Sequence, residues 1–305
     1  MSAAKTVKHA LAGLFCLAGL GLAAPAAAQT AQEVLSQSQP ADWRGLDLAN
    51  TLVMTLASGE ETIIELNPVF APTTAANIVT LARSGFFDGL TINRVQDNYV
   101  TQWGDPNSDN ERARSLGAAA TTIPAEFVRR RERSVPFWRL RDGDVYAREV
   151  GFSNGFPVAR NSREMWMTHC YGMVGVGRGN DRDSGNGAEL YAVIGHSPRH
   201  LDRNITVAGR VVSGMAALTA LPRGTGALGF YEHPEQRVGV RSVRVAADLA
   251  GGGPAGRLEI LRTEGQTWER FVETRRNRRD SWFLEPTGRV EVCNIWIPTR
   301  TRPAA

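Results

Sequence analysis

Residues 86–106, FFDGLTINRVQDNYVTQWGDP, constrain the fold more than any other part of this chain. A turn at Asp88 and Gly89 opens the segment, and a Gly-Asp-Pro sequence breaks it, so the residues between are predicted to form a pair of strands. Arg94 and Gln102 fall in this pair among apolar and aromatic residues. The pair can line an apolar groove with two fixed hydrogen-bonding groups. Because the segment holds no nucleophile or phosphate loop, we expect a site that works by orientation and charge placement.

The first 28 residues have the pattern of a secretory signal peptide. Lys5 and Lys8 give a basic start, the run ALAGLFCLAGLGLAA is apolar, and three alanines precede Gln29. We therefore expect cleavage after Ala28 and a periplasmic or secreted mature protein of about 277 residues. A retained membrane anchor is the alternative, which the short, small-residue-rich run disfavours. No stable membrane insertion is expected after cleavage.

The charge balance gives no support for a nucleic-acid partner. Cleavage would remove two lysines and no acidic residue, which takes the net charge from +4 to +2. Basic runs at 129–133 and 275–279 are interpreted as solvated faces.

Two cysteines, Cys170 and Cys293, would remain after export. In an oxidising compartment they are predicted to form a disulfide that ties the tail to the main body. Two thiols alone cannot form a zinc site, and no histidine pair has ligand spacing near them, so no metal or other cofactor is expected.

Several local patterns predict the organisation of the first half of the chain. Residues 29–46 are polar and rich in small residues, which favours a flexible leader. The stretch TLVMTLASGEETIIELNPVFAP then alternates apolar residues around a turn and predicts a β-hairpin, and APTTAANIVTLARSG predicts a helix between a proline and a glycine. Residues 107–165 show little periodicity and are predicted to be an insertion that covers a face of the domain or extends a binding edge.

Short strands resume from Met165, in WMTHCYGMVGVG, ELYAVIGH, ITVAGRVV and VGVRSVRVAADL, and MAALTALP predicts a second short helix. Such spacing favours an antiparallel barrel or sandwich. The GGGPAG sequence then marks a break. Beyond it, a C-terminal extension (250–305) is predicted to fold as a strand (LEILRT), a helix (TWERFVETRRNRRDSWF) and a final strand (VEVCNIWIP) that contains Cys293.

Three ordered segments together resemble the cyclophilins, a family of peptidyl-prolyl cis–trans isomerases. They are FFDGLTINRV with TQWGDP, GMVGVGRG followed by NGAELYAVIG, and HLDRNITVAGRVVSGM. The resemblance covers about residues 51–249 and places a cyclophilin-like domain at 47–249. It implies a mainly β fold, with a closed eight-stranded antiparallel barrel capped by two helices and a substrate groove on its outer face.

The resemblance also implies an activity, partners and site residues. It implies isomerisation of X–Pro bonds without a cofactor, in proline-containing unfolded or partly folded exported proteins. The implied catalytic residues are Arg94 and Gln102. The implied substrate-binding residues are Tyr99, Val100, Gly177, Arg178, Glu189, Tyr191, His200 and Leu201.

The chain departs from the family pattern at several positions in or near this groove. Glu189 stands where a glutamine is usual, His200 lies near the position of a tryptophan, and Ile205 replaces a common histidine. Asn93 replaces a histidine before the arginine, and Trp103 replaces a glycine. The histidine at position 200 implies weak binding of cyclosporin.

The polar replacements lead to two further expectations. Tyr99 and Tyr191 stand where phenylalanines are usual, and each hydroxyl is expected to reach water at the pocket rim. The Glu189 carboxylate leaves two alternatives, because it could pair with Arg94 and compete with substrate or could orient the guanidinium. The alternative to an efficient enzyme is a catalytically weak cyclophilin-like binding or chaperone module, in which Arg94 is a structural ion-pairing residue.

Overall fold

The structure, a computed structural model, describes residues 29–278 and 282–303. The predicted signal peptide (1–28) and the end of the second basic run at Arg279 lie outside these residues. Within the described ranges there is no helix of the length and apolarity that a membrane crossing requires.

The described residues form four α-helices and sixteen β-strands. The helices are α1 (Ala31–Ser36), α2 (Pro72–Arg83), α3 (Met215–Thr219) and α4 (Gln266–Arg276). The strands are β1 (Trp43–Gly45), β2 (Thr51–Leu56), β3 (Glu61–Leu66), β4 (Thr91–Val95), β5 (Val100–Gly104), β6 (Arg129–Arg130), β7 (Trp138–Leu140), β8 (Glu149–Ser153), β9 (Phe156–Arg160), β10 (Glu164–Met167), β11 (Met173–Val176), β12 (Leu190–Val193), β13 (Val207–Ser213), β14 (Val238–Val245), β15 (Leu258–Leu261) and β16 (Thr299–Thr301).

Eight strands close into a barrel in the order β11-β12-β5-β4-β14-β2-β3-β13, and every neighbouring pair is antiparallel. The alternation along β2 explains the closure, because Leu52 and Met54 enter the barrel core while Val53 faces outward into a separate apolar cluster. Ile78 of α2 and Leu218 of α3 are fully buried in the same core and cap it. The predicted eight-stranded antiparallel barrel with two capping helices is confirmed.

The region predicted to be an insertion contains more regular structure than its sequence pattern indicates. Its later part forms a five-stranded antiparallel sheet in the order β6-β10-β9-β8-β7. The hairpin between β8 and β9 turns at Asn154 and Gly155, where both residues have positive φ (49° and 84°). An Asn-Gly pair is the sequence typical of this tight hairpin turn, which accounts for the hairpin formed by the segment GFSNGFP.

The flexible leader predicted at residues 29–46 is instead folded in the structure. Thr30 and Glu33 cap α1 reciprocally, since the Thr30 N–H donates to the Glu33 carboxylate (2.7 Å) and the Glu33 N–H donates to the Thr30 hydroxyl (3.2 Å). Strand β1 pairs with β15, and the Trp43 side chain is buried. The prediction is wrong because composition alone ignores this capping box and the pairing with a distant strand.

The C-terminal extension differs from its prediction in its last element. Strand β15 and helix α4 lie where a strand and a helix are predicted, and β15 is the centre of a sheet ordered β1-β15-β16. The predicted strand VEVCNIWIP is wrong, because residues Val292–Asn294 form a 3-10 turn that the Glu291 carboxylate caps through the Cys293 N–H (2.8 Å). A disulfide joins Cys293 to Cys170, with the two Cα atoms 4.9 Å apart.

The extension and the inserted sheet share one hydrophobic core. Trp268 and Phe271 of α4 are fully buried there, and the Trp268 ring lies edge-on to Phe152 of β8 at a centroid distance of 4.9 Å. Cys170 and Met173 also belong to this second core, so it packs against the barrel at the start of β11.

Candidate active site

Strands β4 and β5 place Arg94 and Gln102 side by side on the outer face of the barrel. Ile92 pairs with Trp103 and Arg94 pairs with Gln102, so Asn93 is an extra residue that forms a β-bulge. Ile92 and Trp103 point into the barrel core, where Trp103 is 1% exposed. Without the bulge, strict alternation would turn Arg94 inward with Ile92. The Asn93 amide fixes the bulge by donating to the Gly104 carbonyl (3.1 Å).

The Arg94 guanidinium is held by neutral oxygen acceptors. Its Nη1 donates to Gln102 Oε1 (3.1 Å), its Nε donates to the Leu228 carbonyl (2.7 Å), and its Nη2 donates to Gln96 Oε1. These contacts use three of its five N–H donors and leave one on each terminal nitrogen. The guanidinium carbon also lies 5.4 Å from the ring centres of both Tyr99 and Phe230.

Burial lowers the pKa of Arg94, while Tyr99 and Glu189 act to raise it. A guanidinium remains charged at any physiological pH in spite of such a shift, so the groove carries a partly desolvated cation. Two aromatic faces and three hydrogen bonds hold its plane in place. The arrangement therefore holds the guanidinium in one orientation, with two N–H donors that make no hydrogen bond among the described residues.

Glu189 lies beside Gly104 of β5, where a Cβ atom would lie 3.2 Å from the Glu189 Cα, and it is half-buried against Gly177. A Cβ atom at Gly177 would lie 2.8 Å from Glu189 Oε2, so a glycine there leaves room for the carboxylate. Burial raises the pKa of Glu189 above 4.5, the Gln102 amide and the Arg94 charge act to lower it, and the Asp109 charge acts to raise it. Among the hydrogen bonds and ion pairs of the described residues, none joins Glu189 to Arg94, although the two charges attract each other across the site.

The proline pocket predicted beside Arg94 is an apolar cluster on the same face. Val100 and Tyr191 are buried in this cluster, and the half-buried Tyr99 packs against them. Ile205, identified in the sequence only as a departure, also packs there. Leu201 lies outside the cluster, half-buried in the 3-10 turn Arg199–Leu201, and the His200 side chain is exposed.

The Tyr191 hydroxyl does not lie at the pocket rim. Tyr191 is 5% exposed, and its hydroxyl lies 2.9 Å from Nε2 of the buried His169. The expectation that this hydroxyl reaches water is therefore wrong, because it finds a protein partner beneath the groove. Burial raises the pKa of Tyr191 far above its usual value, so the phenol keeps its proton.

The Arg178 side chain is engaged by its own loop and by two other segments of the chain. Its Nε donates to the Asn204 carbonyl (2.9 Å), its Nη1 donates to the Gly179 carbonyl (2.6 Å), and its guanidinium carbon lies 5.5 Å from the Phe127 ring centre. Arg178 thus shapes the loop next to Gly177, whose N–H donates to the Glu189 carbonyl (2.8 Å).

The loop that carries Leu228 and Phe230 is a part of the site that the sequence reasoning missed. Leu228 and Phe230 are 67% and 39% exposed, and they flank Arg94 at the edge of the groove. Gly229 has a φ of 79° and approaches so closely that a Cβ atom there would lie 2.6 Å from the Gln96 Cα. A leucine and a phenylalanine among the glycines of RGTGALGFYEHP are the signal that could have identified it.

The cyclophilin type peptidyl-prolyl cis-trans isomerase family has a family model that matches residues 51–245. The chain belongs to this family. The cyclophilin is 27% identical over 198 residues to a probable peptidyl-prolyl cis-trans isomerase of Brucella suis biovar 1. The aligned region covers 62% of this chain and 81% of that relative. It is 29% identical over 161 residues to peptidyl-prolyl cis-trans isomerase B of Bacillus subtilis, which covers 52% of the chain and 82% of that relative.

A solved structure is similar over a longer stretch. The crystal structure of the cyclophilin AquaCyp293 from Hirschia baltica matches with a TM-score of 0.65 and 25% identity, over 90% of this chain and 99% of that one. The family and these relatives identify the cyclophilin as a peptidyl-prolyl cis–trans isomerase. Among the described residues, no group of three or more His, Cys, Asp or Glu side chains is arranged to hold a metal ion.

Proposed function

We propose that this cyclophilin isomerises X–Pro bonds in exported proteins and thereby assists their folding, with Arg94 as the essential donor. The observation that carries the proposal is the fixed, partly desolvated guanidinium of Arg94 beside the apolar cluster of Tyr99, Val100 and Tyr191. One N–H on each terminal nitrogen is left to face a ligand.

Rotation about an X–Pro bond is accelerated by a hydrogen-bond donor of this kind. Rotation about the X–Pro bond must break amide resonance, against a barrier of about 18–20 kcal/mol. In the twisted state the proline nitrogen becomes pyramidal and regains its lone pair. An Arg94 N–H that donates to this nitrogen withdraws the lone pair from resonance and stabilises the twisted state over either planar isomer.

The groove around Arg94 would hold the rest of the substrate. Val100, Tyr191 and Tyr99 would bind the proline ring while the N-terminal side of the bond turns. Gln102, fixed by its bond from Arg94 Nη1, would orient a neighbouring peptide group. A neutral amide and an apolar wall bind many sequences, which suits an enzyme for unfolded chains.

Two features support the proposal that the substrates are exported proteins. The predicted signal peptide at residues 1–28 would direct the chain through the secretory pathway. The Cys170–Cys293 bond joins the barrel region to the extension, and such bonds persist in oxidising compartments.

A refolding assay tests the enzymatic part of this proposal. The substrate is an unfolded protein whose refolding is limited by a proline step, which takes tens to hundreds of seconds without a catalyst. The purified cyclophilin should accelerate the slow phase at substoichiometric amounts, and Arg94→Ala should not. If the effect needs equimolar protein and survives in Arg94→Ala, the chain acts as a binding or chaperone module.

Fractionation tests the location. The protein expressed from its full sequence should be recovered from the periplasm or medium, with a mature N-terminus at Gln29. Recovery of uncleaved chain from the cytoplasm would contradict the exported role and leave the isomerase activity untouched.

A further inference from the structure

A buried hydrogen-bond network begins at the Tyr191 hydroxyl and extends beneath the groove. The Tyr191 ring lies across the neighbouring strand β11 at Gly175, where a Cβ atom would lie 2.2 Å from the tyrosine oxygen. Gly175 therefore makes the space through which the hydroxyl reaches Nε2 of His169 (2.9 Å). The His169 residue is fully buried, and its ring stacks with Tyr191 at an interplanar angle of 11°.

The position of each proton in this network follows from the hydrogen-bond partners of His169. His169 Nδ1 lies 3.0 Å from Asp202 Oδ1, and the same oxygen accepts the His169 backbone N–H (2.9 Å). Burial acts to raise the pKa of Asp202, but the bonds from His169 and Arg199 outweigh it and hold the pKa below its usual value. An ionised Asp202 accepts from Nδ1, so a neutral His169 ring carries its proton on Nδ1 and leaves Nε2 as the acceptor for the Tyr191 hydroxyl.

The hydrogen-bond network continues into the inserted sheet region through Arg199. Arg199 Nε donates to Asp202 Oδ2 (2.6 Å), and its two terminal nitrogens donate to the two oxygens of Asp144 (3.0 and 3.1 Å). The side chains of Arg199 and Asp144 are each 2% exposed. Because charge-assisted bonds in such a setting are short and directional, Asp202 and the His169 ring have one position.

Asp202 also ends the 3-10 turn that carries His200 and Leu201. The turn beside the groove and the Tyr191 wall are therefore anchored to the same carboxylate.

We propose that His169 is a positioning residue for X–Pro isomerisation, which acts by fixing the Tyr191 ring as a wall of the proline pocket. This inference rests on the proposed function of the groove. His169 lies below the ring and does not touch the substrate. Its effect passes through one hydrogen bond, and this bond makes the residue testable apart from any general structural role.

A double-mutant cycle isolates that bond. Tyr191→Phe keeps the ring and removes only the hydroxyl, and His169→Leu removes the acceptor. Each single variant should raise KM for a proline tetrapeptide by roughly 3- to 10-fold with a smaller change in kcat, as the loss of one buried hydrogen bond predicts. In the Tyr191→Phe background, His169→Leu should add less than about 2-fold, because the bond through which it acts is already absent.

His169→Gln is the conservative variant, since its amide can still accept from Tyr191. It should recover part of the KM lost in His169→Leu. Wild-type KM in Tyr191→Phe, or single effects on KM that multiply fully in the double variant, would overturn the inference. Should His169→Leu not fold, Tyr191→Phe and His169→Gln decide the matter by the same KM criterion.

The imidazole ¹⁵N spectrum gives a readout that does not need catalysis. His169 should be protonated on Nδ1 and not on Nε2, and Tyr191→Phe should shift the Nε2 resonance. Protonation on Nε2, or an unchanged Nε2 resonance in Tyr191→Phe, would overturn the inference. An inactive wild type with these spectral features would overturn the proposed function instead, and peptide affinity would then replace KM in the cycle.

Discussion

Replacement of Arg199 by methionine should destabilise this cyclophilin more than any exposed ion-pair substitution. Arg199 bonds to both Asp144 and Asp202, and the three side chains are only 2%, 2% and 6% exposed. Methionine replaces only the aliphatic part of the arginine side chain and leaves two carboxylates without their cation. Breaking a buried pair by removal of one partner costs about 3–5 kcal/mol, so we expect a loss of that size in the free energy of unfolding.

Arg83→Met is the matched control. Arg83 makes a similar two-point contact with Asp248 (2.9 and 3.0 Å), but the two side chains are 52% and 46% exposed. Water screens that pair, so its removal should leave the free energy of unfolding almost unchanged. Both variants are compared with the wild type by equilibrium denaturation with the disulfide intact.

The difference in the free energy of unfolding between the wild type and Arg199→Met should depend on pH in a defined direction. The folded-state pKa of Asp202 is lowered, so its contribution to stability is present above the ordinary aspartate pKa of 3.8 and is lost as the pH falls through the folded-state pKa. The gap between wild type and Arg199→Met should therefore narrow as the solution is acidified. A variant no less stable than Arg83→Met at neutral pH would refute the reasoning.

Three further changes probe the groove and the disulfide. Glu189→Gln should raise kcat/KM several-fold at neutral pH, since an amide can donate to the substrate backbone and an ionised carboxylate cannot. Because the pKa of Glu189 is raised, the wild type should gain activity on acidification towards pH 4.5 while the variant should not. Parallel pH profiles of the two proteins would contradict this prediction. Cys170→Ser should cost roughly 2–5 kcal/mol, because the bond to Cys293 closes a loop of 123 residues for which the chain-entropy estimate is about 4.9 kcal/mol; equal denaturation midpoints with and without reductant would show that the bond is not formed. His200→Trp should tighten cyclosporin binding in a calorimetric titration, since it adds apolar surface at an exposed position, and unchanged affinity would place His200 away from that site.

The barrel was predictable because its information is local. Alternation in strands such as β2 and the proline and glycine at the ends of α2 appear within a few residues of sequence. The ordered motifs around Arg94 and Tyr191 then indicated the family. The prediction of a flexible leader at residues 29–46 was wrong for a different reason. Thr30 and Glu33 form a capping box, and the overall composition of the segment does not show it.

The finer geometry of the site was not predictable because it depends on contacts between distant residues. Nothing local indicates that Asn93 forms the bulge that turns Arg94 outward. The partner of the Tyr191 hydroxyl, His169, lies 22 residues away and before another strand, and sequence alone assigned it no role. Whether Glu189 pairs with Arg94 likewise depends on the relative position of two strands and not on either strand alone.

The central claim is that Arg94 supplies the donor for X–Pro rotation. The most direct test measures kcat/KM for a proline tetrapeptide with the wild type, Arg94→Ala and Arg94→Lys, by exchange NMR at equal protein concentration. Loss of a preorganised donor predicts a decrease of roughly 100-fold or more in Arg94→Ala, with an unchanged fold by circular dichroism. Arg94→Lys should recover little, because an ammonium group cannot bond to Gln102, Gln96 and Leu228 and still donate in the same direction. Activity in Arg94→Ala within a few-fold of the wild type would contradict the account.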